Sequence, residues 1–158
     1  MVKNSVILHV EDSPEDVFLL RYAFETAEIA NPVHVVSDGQ EAIDYLSGTG
    51  EFADRVKFPI PGLVLLDLKL PHRMGLDVLR WIRQQPRLKA LIVIILTASV
   101  NEADVQRAYE LGANAFVVKP SGAAELADIA RALKLFWCMH NTAPVLTRSH
   151  GPVQTPHE

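Results

Sequence analysis

Three segments of this chain are continuous in Val, Ile and Leu where an exposed strand would alternate: Ser5–Val10, Leu63–Asp67 ("LVLLD") and Leu91–Thr97 ("LIVIILT"). Strands apolar on both sides must be covered on both faces, which is the situation of parallel strands flanked by helices. Two weaker strands, Val33–Ser37 and "AFVVK" (115–119), complete a set of five. Amphipathic segments separate them: Pro14 to about Glu28, about Gln40 to Leu46, Gly75 to about Gln84, about Glu102 to Leu111, and Ala123 to about Cys138. The first reads as a helix capped by Ser13, with Pro14 at its first position and Asp16 completing a capping-box-like pair. The last carries a stripe of Leu126, Ile129, Leu133 and Phe136. Strict alternation with right-handed crossovers gives an α/β, doubly wound sheet. Five units fit the flavodoxin-like order 2-1-3-4-5 with helices on both faces.

Two segments stand outside that expected core. The connection from Ser47 to Pro61 is long and rich in Gly and Pro, and the end of the chain carries Pro144, Pro152 and Pro156 without periodicity. The expected division is therefore a domain over 1–141 and a tail over 142–158 with little regular structure. A net charge of −4 disfavours nucleic acid as a partner. The longest apolar run is too short to cross a bilayer, and no signal-peptide pattern opens the chain, so no membrane partner and a cytoplasmic location are expected. Cys138 is the lone cysteine, which excludes a disulfide framework and a thiolate metal cage.

Ligands of an open parallel sheet bind beyond the carboxyl ends of its strands. Those ends carry Glu11 and Asp12 after the first strand, Asp67 after the third, Thr97 after the fourth and Lys119 after the fifth. Two carboxylates ~4 Å apart repel by roughly 4 kcal/mol at an effective dielectric of about 20. A lysine offsets part of that. A hard divalent ion such as Mg²⁺, which takes one or two carboxylates, waters and a phosphate, does so better. The acids of "VEDS" thus read as a metal seat.

At this point the chain resembles a receiver domain of the response regulators of two-component signalling. The motifs that carry the likeness are "VEDS" (10–13), "LLDLKLPHRMG" (65–75), "LTAS" (96–99) and "FVVKP" (116–120), and it covers roughly Val6 to Phe136. The long loop before the third strand and the ending "ALKLFW" are similar to single-domain regulators that partner bacterial phytochromes. The resemblance implies that Asp67 accepts a phosphoryl group from a sensor histidine kinase, and the likeness to phytochrome partners points to a bacteriophytochrome as that kinase. Asp12 would bind Mg²⁺, with Glu11, Asp67 and the backbone carbonyl of Lys69 adding oxygens. Lys119 would neutralise the phosphoryl oxygens and Thr97 would donate to one of them, as phosphoryl transfer requires. Ala98 would leave room for the phosphohistidine, and the Lys119–Pro120 bond is expected to be cis. Phe116 either fills the space that Thr97 vacates on switching or simply packs in the core.

The chain departs from the family pattern at Met74, where an aspartate usually precedes Gly75, and its Phe116 lacks the tyrosine hydroxyl of many relatives. Lys69 is expected to pair with an acid of the site and slow hydrolysis. A haloacid-dehalogenase-like enzyme would need a second aspartate where Lys69 stands, and a flavin module would be repelled by "EDSPED". Intact Asp12, Asp67, Thr97 and Lys119 argue against a pure scaffold. The reading is a phosphoacceptor module, not an enzyme on a separate substrate. The six histidines show no ligand spacing and read as structural or surface residues. Trp137, with Phe136, Met139, Val145 and Leu146, either folds back on its own core or buries apolar surface across a homodimer. That dimer would be built from helix four, strand five, helix five and the extension.

Overall fold

The computed structural model describes residues 5–146. Five parallel strands, β1 (Ile7–Val10), β2 (Val33–Val36), β3 (Leu63–Leu66), β4 (Ile92–Thr97) and β5 (Ala115–Val118), form one sheet in the order β2-β1-β3-β4-β5. The helices are α1 (Pro14–Thr26), α2 (Gly39–Ser47), α3 (Gly75–Gln84), α4 (Glu102–Glu110) and α5 (Ala123–Leu133). Register pairs Val10 with Leu66 and Thr97 with Val118, so the strands end close to one level and their following residues share one rim.

The continuous apolar runs divide alternately between two cores. Leu8, Val10, Val64, Leu66, Val93 and Ile95 face α2, α3 and α4, meeting Ala42, Val78, Leu79, Ile82 and Ala108. Ile7, Leu63, Leu65, Ile94 and Leu96 face α1 and α5, meeting Leu20, Phe24, Ala130 and Leu133. Each buried Leu or Ile contributes on the order of 2 kcal/mol. Both faces of β1, β3 and β4 are therefore dry, as their sequence demands.

Two segments depart from the sequence expectation. The connection 48–61 belongs to the core. A short 3₁₀ turn at Gly50–Phe52 buries Phe52, whose ring lies 5.1 Å from those of Tyr45 and Phe58. The Tyr45 hydroxyl donates to the Pro59 carbonyl at 3.0 Å, so His34 Nδ1, 2.8 Å away, is the donor to the tyrosine oxygen. Arg55 closes the segment, donating to the carbonyls of Tyr45, Leu46 and Phe58. Composition rich in Gly and Pro hid an aromatic cluster.

The last helix is not α-helical to its end. After Leu133 the chain winds as a π-helix over Lys134–His140. The wider turn brings Cys138, five residues past Leu133, onto the buried face, while Phe136 of the expected stripe is exposed. Trp137 is half-buried against its own core, and Ala143 and Leu146 also pack on the two cores. Thr142–Leu146 have no regular structure. The tail beyond 146 lies outside the described residues.

Candidate functional site

Four strand ends deliver the site. Glu11 follows β1 and is buried; its peptide N–H continues the ladder to Val36. Its Oε2 accepts from the peptide N–H groups of Asp12 and Ser13 at 3.1 and 3.3 Å, so this acid caps the turn it begins. Asp12 is exposed and Asp67, just past β3, is buried. Carboxylate oxygens of Glu11, Asp12 and Asp67 all lie within 4.8 Å of one another. The loop after Asp67 is held against it by the Lys69 peptide N–H, 3.3 Å from Asp67 Oδ1, and by Gly75, whose N–H donates to Leu68 O at 2.9 Å. A Cβ at Gly75 would overlap the Asp67 carbonyl oxygen, so only glycine lets α3 start there. Met74 provides no side-chain cap for that helix.

Lys119 crosses the whole site. Its ammonium bonds Glu11 Oε1, Asp16 Oδ2 at 2.9 Å and Asp67 Oδ2 at 3.0 Å. Thr97, buried at the end of β4, donates to Asp67. Burial alone would raise the Asp67 pKa, but the hydrogen bonds from Thr97 and Lys119 outweigh it and hold the carboxyl below its ordinary range. Glu11 goes the other way: burial, reinforced by the Asp67 charge, pushes it up to about 7 despite the Lys119 contact. Burial would lower Lys119, yet its three acidic partners hold it above an ordinary lysine, so it is a fixed cation. The site is thus a wall of carboxylates with one ammonium, one hydroxyl and hard oxygen donors for a cation.

The expected residues Glu11, Asp12, Asp67, Thr97 and Lys119 therefore converge. Phe116 sits one strand over, partly buried and packed against the α2–α4 core. Ala98 is exposed beside Thr97.

The comparisons with known proteins follow the same lines. Residues 7–131 match the response regulator receiver domain family. The chain belongs to that family. The response regulator Rcp1 of Synechocystis sp. is 37% identical over 139 residues, 88% of this chain and 92% of that protein. Its Mn(2+)-bound structure matches with a TM-score of 0.81, covering 89% of this receiver and 99% of that chain. The phosphorylated cyanobacterial phytochrome response regulator RcpA is 35% identical, with a TM-score of 0.83 over the same shares of the two chains. The bacteriophytochrome response regulator AtBRR is 43% identical over 87% of this receiver and 98% of that chain, with a TM-score of 0.69.

Three expectations about this receiver need correction. Asp16 is not the second half of a capping box: Ser13 Oγ accepts from its N–H at 3.3 Å, but its carboxylate turns to Lys119, because Glu11 already satisfies the Ser13 N–H. The Lys69 side chain is exposed and its ammonium makes no ion pair among the described residues, since the peptide N–H, not the side chain, faces Asp67. No peptide bond among the described residues is cis, including Lys119–Pro120; trans is the intrinsically favoured isomer even before proline. His9, read from the sequence as structural or surface, is buried on β1. It lies beneath the site with Nδ1 buried and without a partner among the described residues, and burial together with the Lys119 charge pushes it down to about 4. The second pair of acids in "EDSPED" was the one sequence signal that could have pointed to Asp16.

Proposed function

We propose that this receiver accepts a phosphoryl group on Asp67 from the phosphohistidine of a sensor kinase, in a Mg²⁺-dependent reaction, and passes the signal on by changing its protein contacts. The observation that carries the reading is the shared geometry at Asp67: a buried, ionised carboxylate that receives Thr97 and Lys119 together and lies within ligand distance of Glu11 and Asp12. Three carboxylate oxygens at that spacing suit a hard divalent cation, with the Lys69 carbonyl as a further oxygen. When bound, Mg²⁺ supplies charge neutralisation for the phosphoryl oxygens.

Asp67 Oδ attacks phosphorus in line, forming the acyl-phosphate O–P bond as the N–P bond to the donor imidazole breaks and its electron pair returns to nitrogen. Lys119 follows the charge from the carboxylate to the phosphoryl oxygens. Thr97 exchanges its bond to Asp67 for one to a phosphoryl oxygen, a contact made only in the phosphorylated state and therefore able to shift a population. Phe116, on the same sheet face and partly buried, is the aromatic that follows. The module turns over only its own phosphoryl group.

The kinase partner is a bacteriophytochrome, a reading supported by the RcpA and AtBRR likenesses. Tyr109 on α4, Val118 on β5, and Leu135, Phe136 and Met139 beyond α5 are exposed, and they are the apolar side chains available to a homodimer. The receiver unit spans 1–141 with 142–158 appended, and the protein works in the cytoplasm; among the described residues no helix is long and apolar enough to cross a membrane. Incubation with a small phosphodonor, followed on phosphate-affinity gels, should give a shifted band with Mg²⁺ and none with chelator. Equal shifts in both would overturn the cation's part.

A further inference from the structure

Beneath Lys119, between β1, α1 and α5, lies a cavity of about 40 Å³. Leu20, Leu96 and Leu126 form its apolar walls. His9, Glu11, Asp16 and Lys119 form a polar side. His9 is 3% exposed, and its Nδ1 has no partner among the described residues. An orphaned polar nitrogen in a dry interior costs about 1–3 kcal/mol. Lys119 cannot relieve it: an ammonium has three N–H groups, and all three are spent on Glu11, Asp16 and Asp67. The carboxylates around the cavity have lone pairs to spare. The volume exceeds the ~10–15 Å³ that one water requires, and polar cavities of this size fill whereas apolar ones stay dry.

We propose that this cavity is a built water site linking His9 Nδ1 to the Asp16 carboxylate, and that Asp16, braced this way, is the positioning residue for Lys119. The inference rests on the phosphoacceptor reading for its kinetic consequence but not for the water. If Glu11 and Asp67 give oxygens to a cation and to phosphorus, Asp16 is the carboxylate left to fix the ammonium. A water between Asp16 and His9 then keeps that carboxylate from swinging out, since Asp16 sits on the partly exposed first turn of α1.

Two measurements on the full chain decide it. A high-resolution crystal structure should show ordered water within hydrogen-bond distance of both His9 Nδ1 and an Asp16 oxygen; an empty cavity overturns the proposal. With a small phosphodonor, Asp16→Asn and His9→Leu should each slow phosphorylation about tenfold, the usual scale for losing a group that orients a functional one. The double variant should be no slower than Asp16→Asn alone, and His9→Asn, whose amide stands near the position of Nδ1, should recover much of the rate. Additive losses, or wild-type rates in both single variants while Lys119→Ala is slow, would overturn it. If the wild-type chain takes no phosphate at all, the phosphoacceptor reading fails and the crystallographic result still decides the water.

Discussion

A single ammonium carries most of the charge balance at the rim, and its three N–H groups assign three acids different standing. Asp67 stays ionised because Thr97 and Lys119 outweigh its burial; Glu11, also bonded to Lys119, is pushed up to about 7 because it is deeper and faces Asp67. Glu11, Asp12, Asp67, Thr97 and Lys119 were legible in the sequence because each ends a strand of one parallel sheet. Asp16 and His9 were not, since a helix-start acid and a strand histidine have ordinary local explanations; the Lys119 side chain brings out the first and the cavity beneath it the second. His9 gives a pH signature with a definite sign. The unfolded chain protonates this imidazole near 6.5 and the folded chain only near 4, so acidification across that window removes about 3 kcal/mol of stability. Glu11 acts oppositely, because its folded pKa lies above the unfolded value and acidification from 7 toward 4.5 favours the folded state. In His9→Leu only the Glu11 effect remains. Its stability relative to wild type, from urea denaturation in metal-free buffer, should rise by about 3 kcal/mol between pH 6.5 and pH 4. Parallel profiles would show that His9 does not titrate as its burial requires.

At the scale of elements, periodicity and strand composition marked all five strands and five helices to within a few residues. What they missed has a common cause: a local pattern cannot show a contact made across the fold. The π-helical turn after Leu133 escaped a stripe drawn at 3.6 residues, because only the packing of Cys138 selects the wider winding. The connection 48–61 escaped because its Gly and Pro content dominates its composition, while its order comes from the rings of Tyr45, Phe52 and Phe58, well apart along the chain, and from one guanidinium. Arg55 donates to the Leu46 carbonyl at the end of α2 and is a second donor, beside the Gly48 N–H, to that of Tyr45. Arg55→Ala should cost about 2–3 kcal/mol, because it takes the guanidinium from the Leu46 carbonyl and loses charged hydrogen bonds to Tyr45 and Phe58. Thermal unfolding and amide exchange at 48–61 would check this. Unchanged exchange there would mean that the aromatic cluster alone holds the segment.

At the scale of the whole molecule, the two faces have different roles. Three helices, α2 to α4, and the 48–61 connection cover one side of the sheet; α1 and α5 cover the other and enclose the cavity under Lys119. The doubly wound topology was readable from the continuous strands, whereas the outer surface near the chain's end was not, because exposure of Leu135, Phe136 and Met139 depends on the π-turn. Trp137 is occupied by its own core, so the neighbouring Phe136, 56% exposed, is the sharper probe of self-association. Light scattering should find Phe136→Glu shifted toward monomer with its thermal midpoint kept; an undiminished dimer would place the interface elsewhere. The central claim concerns Asp67. Wild type and Asp67→Asn should be incubated with Mg²⁺ and a small phosphodonor and weighed intact by mass spectrometry. The account predicts a gain of one phosphoryl group in wild type and none in the variant, and equal gains in the two would contradict it.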